Sequence, residues 1–216
     1  MIFGQIARRP NVWLPLTANK NDNSVNAYTV SAPNITQTTG ILGGTNRAYD
    51  FNGTSGYAQI QQASLVTSKG CISLWYKSDV TSVDQIILSN TWIGTHDYLV
   101  IRGLNGANKF RALVYDNNID TTTPNDTNWH HVVLNWDNTT TWKAYVDGVL
   151  IGTGASSKNP VNAYYVLLGR QANQNGFWGT PYYFNGKMTD YKHTLSVNYT
   201  TGQIKMIYGQ KDRIKS

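Results

Sequence analysis

The 216-residue sequence predicts an all-β protein, a two-sheet antiparallel β-sandwich or jelly roll. Three observations predict this fold class. Glutamate is absent while Asn, Thr, Tyr, Val and Gly are abundant, which disfavours helices and favours strands and turns. Apolar and polar residues alternate through about a dozen short runs, as half-buried strands do. Turn residues separate these runs, as they do between consecutive antiparallel strands.

The clearest strand signal is a predicted three-stranded meander in the second half of the chain. Residues 129–136 and 141–146 both alternate, and the second run leads into Asp147-Gly148. A two-residue type I′ turn needs positive φ at both central positions, which Asp-Gly tolerates. We therefore expect a tight hairpin at Asp147-Gly148, with the rest of the chain packed against this sheet.

The remaining elements follow from the same patterns, taken in chain order. Predicted strands cover residues 27–30, 47–51, 57–60, 71–77, 85–88, 98–102, 110–115, 163–169, 182–184 and 187–193. Predicted turns include Asn105-Gly106 and Asn185-Gly186, and residues 201–208 have the one helical pattern. No repeat or linker interrupts the chain, so we expect one domain over residues 16–210, an N-terminal arm at 1–15 and a basic C-terminal tail at 211–216.

Composition excludes several classes of protein. The single cysteine, Cys71, cannot form an intramolecular disulfide, and its alternating apolar run predicts a buried, unreactive thiol. The net charge of +6 is scattered, apart from basic stretches at both ends, so we expect no nucleic-acid binding. These ends are either solvated tails or arms that contact an acidic partner.

No apolar run is long enough to insert in a membrane, and the first ten residues do not resemble a signal peptide. The protein is thus expected to be assembled inside a cell, unless a signal has been removed.

Catalytic patterns are missing from the sequence. Glycoside hydrolysis needs two carboxyl groups, whereas this chain has no Glu and no Asp-x-Asp pair. His130 and His131 are adjacent on a predicted strand and therefore point to opposite faces, so they cannot share a metal. No Gly-x-Ser-x-Gly motif accompanies the four histidines. We expect a protein that is not an enzyme.

Two predicted loops combine aromatic rings with amide and hydroxyl groups, the pairing that binds a sugar's apolar face and its hydroxyl rim. One spans residues 90–98 and the other residues 171–182. The candidate ligand-binding residues are Trp92, His96, Tyr98, Asn173, Phe177, Trp178 and Tyr182. The alternative is that Trp92 and Trp178 are lids over the sandwich edges or contacts between subunits.

The order of these elements resembles the laminin-G-like, concanavalin A-like jelly-roll superfamily. Residues 49–57, 72–77, 128–133 and 144–148 are similar to its entry strand, its aromatic inner strand and its Trp-His-His-Val and Tyr-Val-Asp-Gly pair. Residues 167–170, 184–191, 195–196 and 204–208 resemble its closing strands. The resemblance spans residues 47–209 and implies the fold. It says less about function, because this fold carries lectins, adhesion modules, glycosidase appendages and viral surface proteins.

The resemblance also implies a structural calcium ion. Asp190 matches the second acid of the family's Gly-x-Ile-Asp-Asp pattern and is the candidate metal ligand, while Thr189 stands in place of the first acid. Backbone carbonyls near Asn52 and Gly53 would complete the oxygen ligands that Ca²⁺ requires. The alternative is that Asp190 caps a turn.

Two functions remain as expectations. The first is a non-enzymatic recognition or assembly module on a virion (phage-type) or other particle surface. In that role it would be a structural or decoration protein that contacts itself or other particle subunits and also binds glycans. The second is a secreted or cell-surface carbohydrate-binding lectin or adhesion domain in the extracellular space.

Overall fold

Two antiparallel sheets face each other, as a computed structural model of the chain shows. It describes residues 10–16, 20–61, 69–91, 98–104, 109–114, 117–124, 126–137, 141–155, 165–171 and 182–213. Sheet 1 contains β1 (Val12–Leu14), β3 (Ile35–Thr38), β4 (Ala48–Asn52), β6 (Gly70–Ser78), β11 (Trp129–Asp137), β12 (Thr141–Val146), β13 (Val149–Ala155) and β15 (Asn185–Leu195). Sheet 2 contains β2 (Val30–Ser31), β5 (Ala58–Gln61), β7 (Gln85–Thr91), β8 (Tyr98–Leu104), β9 (Lys109–Val114), β10 (Asn117–Pro124) and β14 (Tyr165–Leu168).

The strand order confirms the predicted jelly-roll sandwich. Sheet 1 runs β13-β12-β11-β6-β15-β4-β3, and sheet 2 runs β10-β9-β8-β7-β14-β5-β2. The meander β11-β12-β13 is present, and the turn between the last two strands has φ of 51° at Asp147 and 78° at Gly148. Both values are left-handed, as the predicted type I′ turn requires.

Apolar side chains from both sheets fill the space between them. Ile72, Leu74 and Tyr76 of β6 point inward, opposite Leu88 and Val166 of sheet 2, and each is at most 1% exposed. Removal of such side chains from water is the main favourable contribution to folding of a domain of this size.

The outer face of sheet 1 is also covered, by the helix α1 (Thr201–Arg213). Thr200 and Gln203 form a capping box: each side-chain oxygen accepts the other residue's backbone N–H, at 3.2 and 2.8 Å. Ile204 is fully buried in a second apolar cluster with Cys71 and Val133 on the outer face of the sheet. Cys71 is 1% exposed and burial raises the pKa of its thiol, so it is the buried cysteine that the sequence predicts.

Several predicted boundaries differ from the structure. The predicted Asn185-Gly186 turn is wrong, because both residues lie in β15, where Gly186 pairs with Phe51 and Ser78. A Cβ at Gly186 would collide with the carbonyl oxygen of Lys77, so glycine is needed there for close strand approach. The strands β3 and β10 were not predicted, and the predicted strand at 27–30 is the shorter β2. The helix extends beyond 208 to Arg213. The predicted Asn105-Gly106 turn lies outside the described residues.

The described part of the predicted arm includes β1, which pairs with the second half of β15. The helix continues into the predicted C-terminal tail. The domain boundaries stay a prediction.

Candidate functional site

Most of the sequence-predicted ligand residues lie outside the part of the chain that the structure describes. These are Trp92, His96, Asn173, Phe177 and Trp178. Tyr98 begins β8 in sheet 2, where it pairs with Asn90. Tyr182 is 44% exposed, and its carbonyl oxygen accepts the backbone N–H of Gln171. The two predicted sugar-binding loops therefore stay a prediction.

A groove with a volume of about 750 Å³ lies on the outer face of sheet 1. Strands β1 and β15, the turn before β4 and the C-terminal half of α1 form its walls. Its lining residues are Trp13, Pro15, Asn23, Ile41, Leu42, Gly44, Arg47, Trp75, Thr189, Asp190, Ile207 and Gln210. We call it the β1–α1 groove. Of the predicted site residues that the structure describes, Asp190 alone lines it.

A β-bulge in β15 shapes one wall of the groove. The register of β15 against β6 shifts between Thr189 and Lys192, and Asp190 between them has φ of 52°. The bulge lies where the neighbour of β15 changes from β4 to β1. The hydroxyl of Thr189 donates towards the carbonyl oxygens of Pro15 and Arg47, at 3.0 and 2.9 Å, and so ties three chain segments together. A bulge re-aims the side chains beside it, which here brings Asp190 to the groove.

Trp13, Asp190 and Lys192 form one cluster at this wall. The indole Nε1–H of Trp13 donates to Oδ1 of Asp190 at 2.9 Å. Lys192 Nζ lies 2.6 Å from Oδ2 of the same carboxylate and 5.9 Å from the centre of the Trp13 ring. The carboxylate therefore has a cation and an indole donor as partners, and the ring is held in place from its edge and its face.

This cluster bears on the predicted calcium ligand. Both oxygens of Asp190 are engaged by protein donors. Among the residues that the structure describes, no group of three His, Cys, Asp or Glu side chains converges on a point. The carboxylate is thus arranged for an ion pair and a hydrogen bond, and calcium binding stays a prediction.

Asp22 holds the backbone of β1 at the groove. Its Oδ1 accepts the backbone N–H groups of Trp13 and Ser24, at 2.8 and 2.9 Å. Its Oδ2 accepts the Ser24 hydroxyl and the backbone N–H of Tyr28, at 2.8 and 2.9 Å. Asn23 then donates its backbone N–H to the carbonyl oxygen of Trp13 at 2.8 Å. Together with the pairing of β1 with β15, these bonds anchor the backbone of Trp13 beside the groove.

Trp75, which lines the groove, is held by two stacked rings. It stacks on Tyr208 of the helix at 5.8 Å between ring centroids and on His131 at 4.8 Å. The Nε2 atom of His131 lies 2.8 Å from the hydroxyl of Ser73. Burial lowers the pKa of His131 to about 4, so the ring is neutral at pH 7.

A second cavity, of about 520 Å³, lies on the other flank of α1. Its lining residues are Asn135, Trp136, Asp137, Thr141, Lys143, Tyr145, Asn198, Tyr199, Thr200 and Thr201. The aromatic residues in this set are buried, so it offers mainly amide, hydroxyl and charged groups. The β1–α1 groove instead combines a half-buried tryptophan and aliphatic side chains with polar groups.

His130 forms a charged cluster away from both cavities. Its Nδ1 lies 2.8 Å from Oδ2 of Asp147, and its Nε2 lies 3.0 Å from Oδ1 of Asp126. Burial by itself lowers the pKa of His130, but the two carboxylates outweigh that effect, and the pKa lies above its ordinary value. Oδ1 of Asp147 also accepts the backbone N–H of His131. The cluster joins the hairpin turn to the segment before β11, a structural role.

The sequence did not indicate Trp13, Arg47, Asn23 or Gln210. These residues belong to three separate parts of the chain, around positions 13–23, 47 and 210, and no short motif links them. The flanking prolines of β1 favoured a loop over a strand, so Trp13 was assigned to an arm. Only the pairing of β1 with β15 brings it to the groove.

Comparison with solved structures shows the same fold in the binding domains of botulinum neurotoxins. The botulinum neurotoxin serotype D binding domain has a TM-score of 0.72 and 13% identity, with 94% of this chain and 52% of that chain covered. A serotype D ligand binding domain in complex with N-acetylneuraminic acid has a TM-score of 0.72, 12% identity and coverage of 94% and 51%. A type C structure has a TM-score of 0.71, 13% identity and the same coverage, and is described as showing cell entry dependent upon interaction with two ganglioside molecules. The chain spans about half the length of these proteins, and the likeness concerns the fold.

No helix among the described residues is long and apolar enough to cross a membrane.

Two further comparisons concern the sequence. No curated protein sequence is significantly similar to this chain. A laminin G family model, described as the concanavalin A-like lectin/glucanases superfamily, matches residues 52–196, which is more than half of the chain. The chain therefore belongs to the concanavalin A-like lectin/glucanase superfamily.

Proposed function

We propose that this domain binds saccharides without cleaving them, and that the β1–α1 groove is a binding site. The observation that carries the proposal is the composition of the groove, whose lining includes Trp13 together with Asn23 and Gln210. A sugar ring offers an apolar C–H face to an aromatic side chain and hydroxyl groups to amides. The groove is also large enough for a small saccharide, since ligand pockets have volumes of about 300–1,000 Å³.

The solved neighbours of this chain favour a lectin-like role over a catalytic one. They are binding domains, and two are described with N-acetylneuraminic acid or gangliosides. Among the lining residues that the structure describes, Asp190 is the one carboxylate, and it is paired with Lys192. Hydrolysis of a glycoside by the usual route needs a second carboxyl group about 5–10 Å away. This groove therefore suits recognition.

Glycan array binding followed by calorimetry tests the proposal. Trp13→Ala removes the aromatic surface, so we expect at least about fivefold weaker binding of the best array ligand. Trp129→Ala is the matched control, because Trp129 is also half-buried but lines neither cavity. Unchanged circular dichroism would show that both variants fold. Absence of any array ligand, or equal loss in both variants, would count against the groove.

A particle-surface or decoration role stays a separate prediction, together with self-association. Light scattering of the purified protein tests it, since a monomer at high concentration would argue against an assembly role. Neither result bears on saccharide binding by the groove, because lectin domains act both as monomers and in assemblies.

A further inference from the structure

We infer that the β1–α1 groove selects saccharides that carry a carboxylate, and that Arg47 is the residue that recognises this group. The inference rests on the proposed saccharide-binding function and adds the ligand's chemical class and a specificity-determining residue. Three features of the groove carry it: an uncompensated positive charge, a turn that holds Arg47 in place, and the groups around it.

The first feature is the charge balance. Two of the groove's described lining residues are charged, Arg47 and Asp190. The charge of Asp190 is already neutralised by Lys192, whose Nζ lies 2.6 Å from Oδ2, and its Oδ1 accepts a hydrogen bond from the Trp13 indole N–H. Arg47 takes part in none of the ion pairs between described residues. The groove therefore has one exposed guanidinium whose charge no neighbouring carboxylate in the described part of the chain cancels.

The second feature is the backbone that presents Arg47. Its N–H donates to the carbonyl oxygen of Thr38 at 3.0 Å, and its carbonyl oxygen accepts the Thr189 hydroxyl at 2.9 Å. Both sides of the Arg47 backbone are thus anchored, one to the end of β3 and the other to the bulge in β15.

The glycines of the adjacent turn make room for the Arg47 side chain. Gly40 and Gly44 are joined by a backbone hydrogen bond of 3.0 Å. A Cβ at Gly40 would lie 2.6 Å from Cβ of Arg47, and a Cβ at Gly44 would lie 3.0 Å from its Cγ and 3.8 Å from its Nε. The arginine stem therefore lies across a turn that only glycines leave open. A side chain held in this way loses less conformational entropy on binding than one extended into solvent.

The third feature is the chemistry surrounding the guanidinium. A guanidinium presents a planar fork of donors that matches a carboxylate bidentately. Trp13, Ile41 and Leu42 supply apolar surface in the same groove, and Asn23 and Gln210 supply amides. A nucleic acid would require a row of cations along its phosphates, whereas this groove has one free cation among its described lining residues. An acidic sugar, with one carboxylate, C–H faces and hydroxyls, matches this set of groups.

Calorimetry with 3′-sialyllactose and lactose tests the inference, because the two probes differ by one carboxylate-bearing sugar. The wild type should bind 3′-sialyllactose more tightly than lactose. Arg47→Gln should weaken binding of the acidic probe by about tenfold and leave binding of lactose unchanged. Arg47→Lys keeps the charge but loses the planar fork of donors. Its affinity for 3′-sialyllactose should therefore lie between those of the wild type and Arg47→Gln.

Lys143→Gln is the matched control. It removes one positive charge from the same face of sheet 1, in the cavity on the other flank of α1, and should leave both affinities unchanged. Equal losses in Arg47→Gln and Lys143→Gln would overturn the inference in favour of a general charge effect. Binding of 3′-sulfolactose as tight as that of 3′-sialyllactose would overturn selection for a carboxylate.

The design separates failure of the inference from failure of the proposed function. If lactose or other neutral sugars bind through Trp13 and Arg47→Gln changes nothing, the inference is overturned and saccharide binding stands. If neither probe nor any array glycan binds the folded wild type, the proposed function fails, and the inference fails with it.

Discussion

Replacement of His193 by Gln should flatten the dependence of stability on pH below neutrality. His193 lies in β15 of sheet 1 and is fully buried. Its Nδ1 lies 3.2 Å from the Tyr191 hydroxyl, and its ring contacts the Trp136 ring edge-on at 5.6 Å between centroids. Its Nε2 has no hydrogen-bond partner among the described residues. Burial lowers the pKa of His193 to about 3, from an ordinary value of 6.5.

The sign follows from proton binding. Between pH 3 and 6.5 the unfolded chain protonates His193 and the folded protein does not, so the free energy of unfolding falls as pH falls through this window. At pH 5, about 1.5 pH units below the unfolded pKa, the loss is about 2 kcal/mol relative to pH 8. His131, whose pKa burial lowers to about 4, adds a similar loss. The two buried histidines together should therefore lower the free energy of unfolding by about 4 kcal/mol from pH 8 to pH 5, and His193→Gln should remove about half of that contribution. His130, whose raised pKa acts in the opposite direction, contributes equally to both proteins and so does not change the difference between them.

Urea unfolding followed by tryptophan fluorescence at pH 8, 7, 6 and 5 measures this difference. The slope against pH is the readout, because the substitution also lowers stability at every pH by an amount that does not depend on protonation. Equal m-values at each pH would establish that the same surface is exposed on unfolding. Parallel pH profiles for the wild type and His193→Gln would refute the reasoning.

Three other predictions follow from the described contacts. His130→Gln should remove a contribution to stability that is complete below pH 6.5 and is lost as pH rises through the raised pKa of His130 in the folded protein. The difference in urea midpoint between the wild type and His130→Gln should therefore shrink above pH 6.5, and a difference that does not change with pH would contradict this. Gly70→Ala should destabilise the fold by about 1–3 kcal/mol because the new methyl group would collide with the Trp136 ring. The methyl group of Gly209→Ala in α1 meets no atom within 4 Å, so this variant should be more stable than the wild type by up to about 1 kcal/mol. Thermal unfolding of both variants tests the contrast. Asp22→Ala should weaken saccharide binding without loss of the sandwich, because the backbone of β1 loses its acceptor; calorimetry together with circular dichroism distinguishes this from unfolding.

Local patterns in the sequence were sufficient for most of the sandwich. Alternation within β6, β11 and β12 and the positive-φ turn at Asp147-Gly148 depend on a few adjacent residues, so they can be recognised without tertiary information. The burial of Cys71 was predictable for the same reason. The strand β10 was missed because its Asn, Asp and Thr side chains are typical of turns, and its pairing with β9 outweighs that preference.

The sequence by itself determined the fold class, the order of the main strands and the superfamily, because these follow from period-two alternation and short turn motifs. Only the tertiary structure decided where the candidate site lies. The β1–α1 groove combines β1, the turn before β4, the bulge in β15 and the helix, which are separated by up to about 200 residues of chain. The family resemblance indicates Asp190 as a candidate metal ligand, whereas its contact with Trp13 depends on the pairing of β1 with β15. Backbone pairing between distant segments, rather than any local pattern, therefore brings Trp13 and Arg47 to one face.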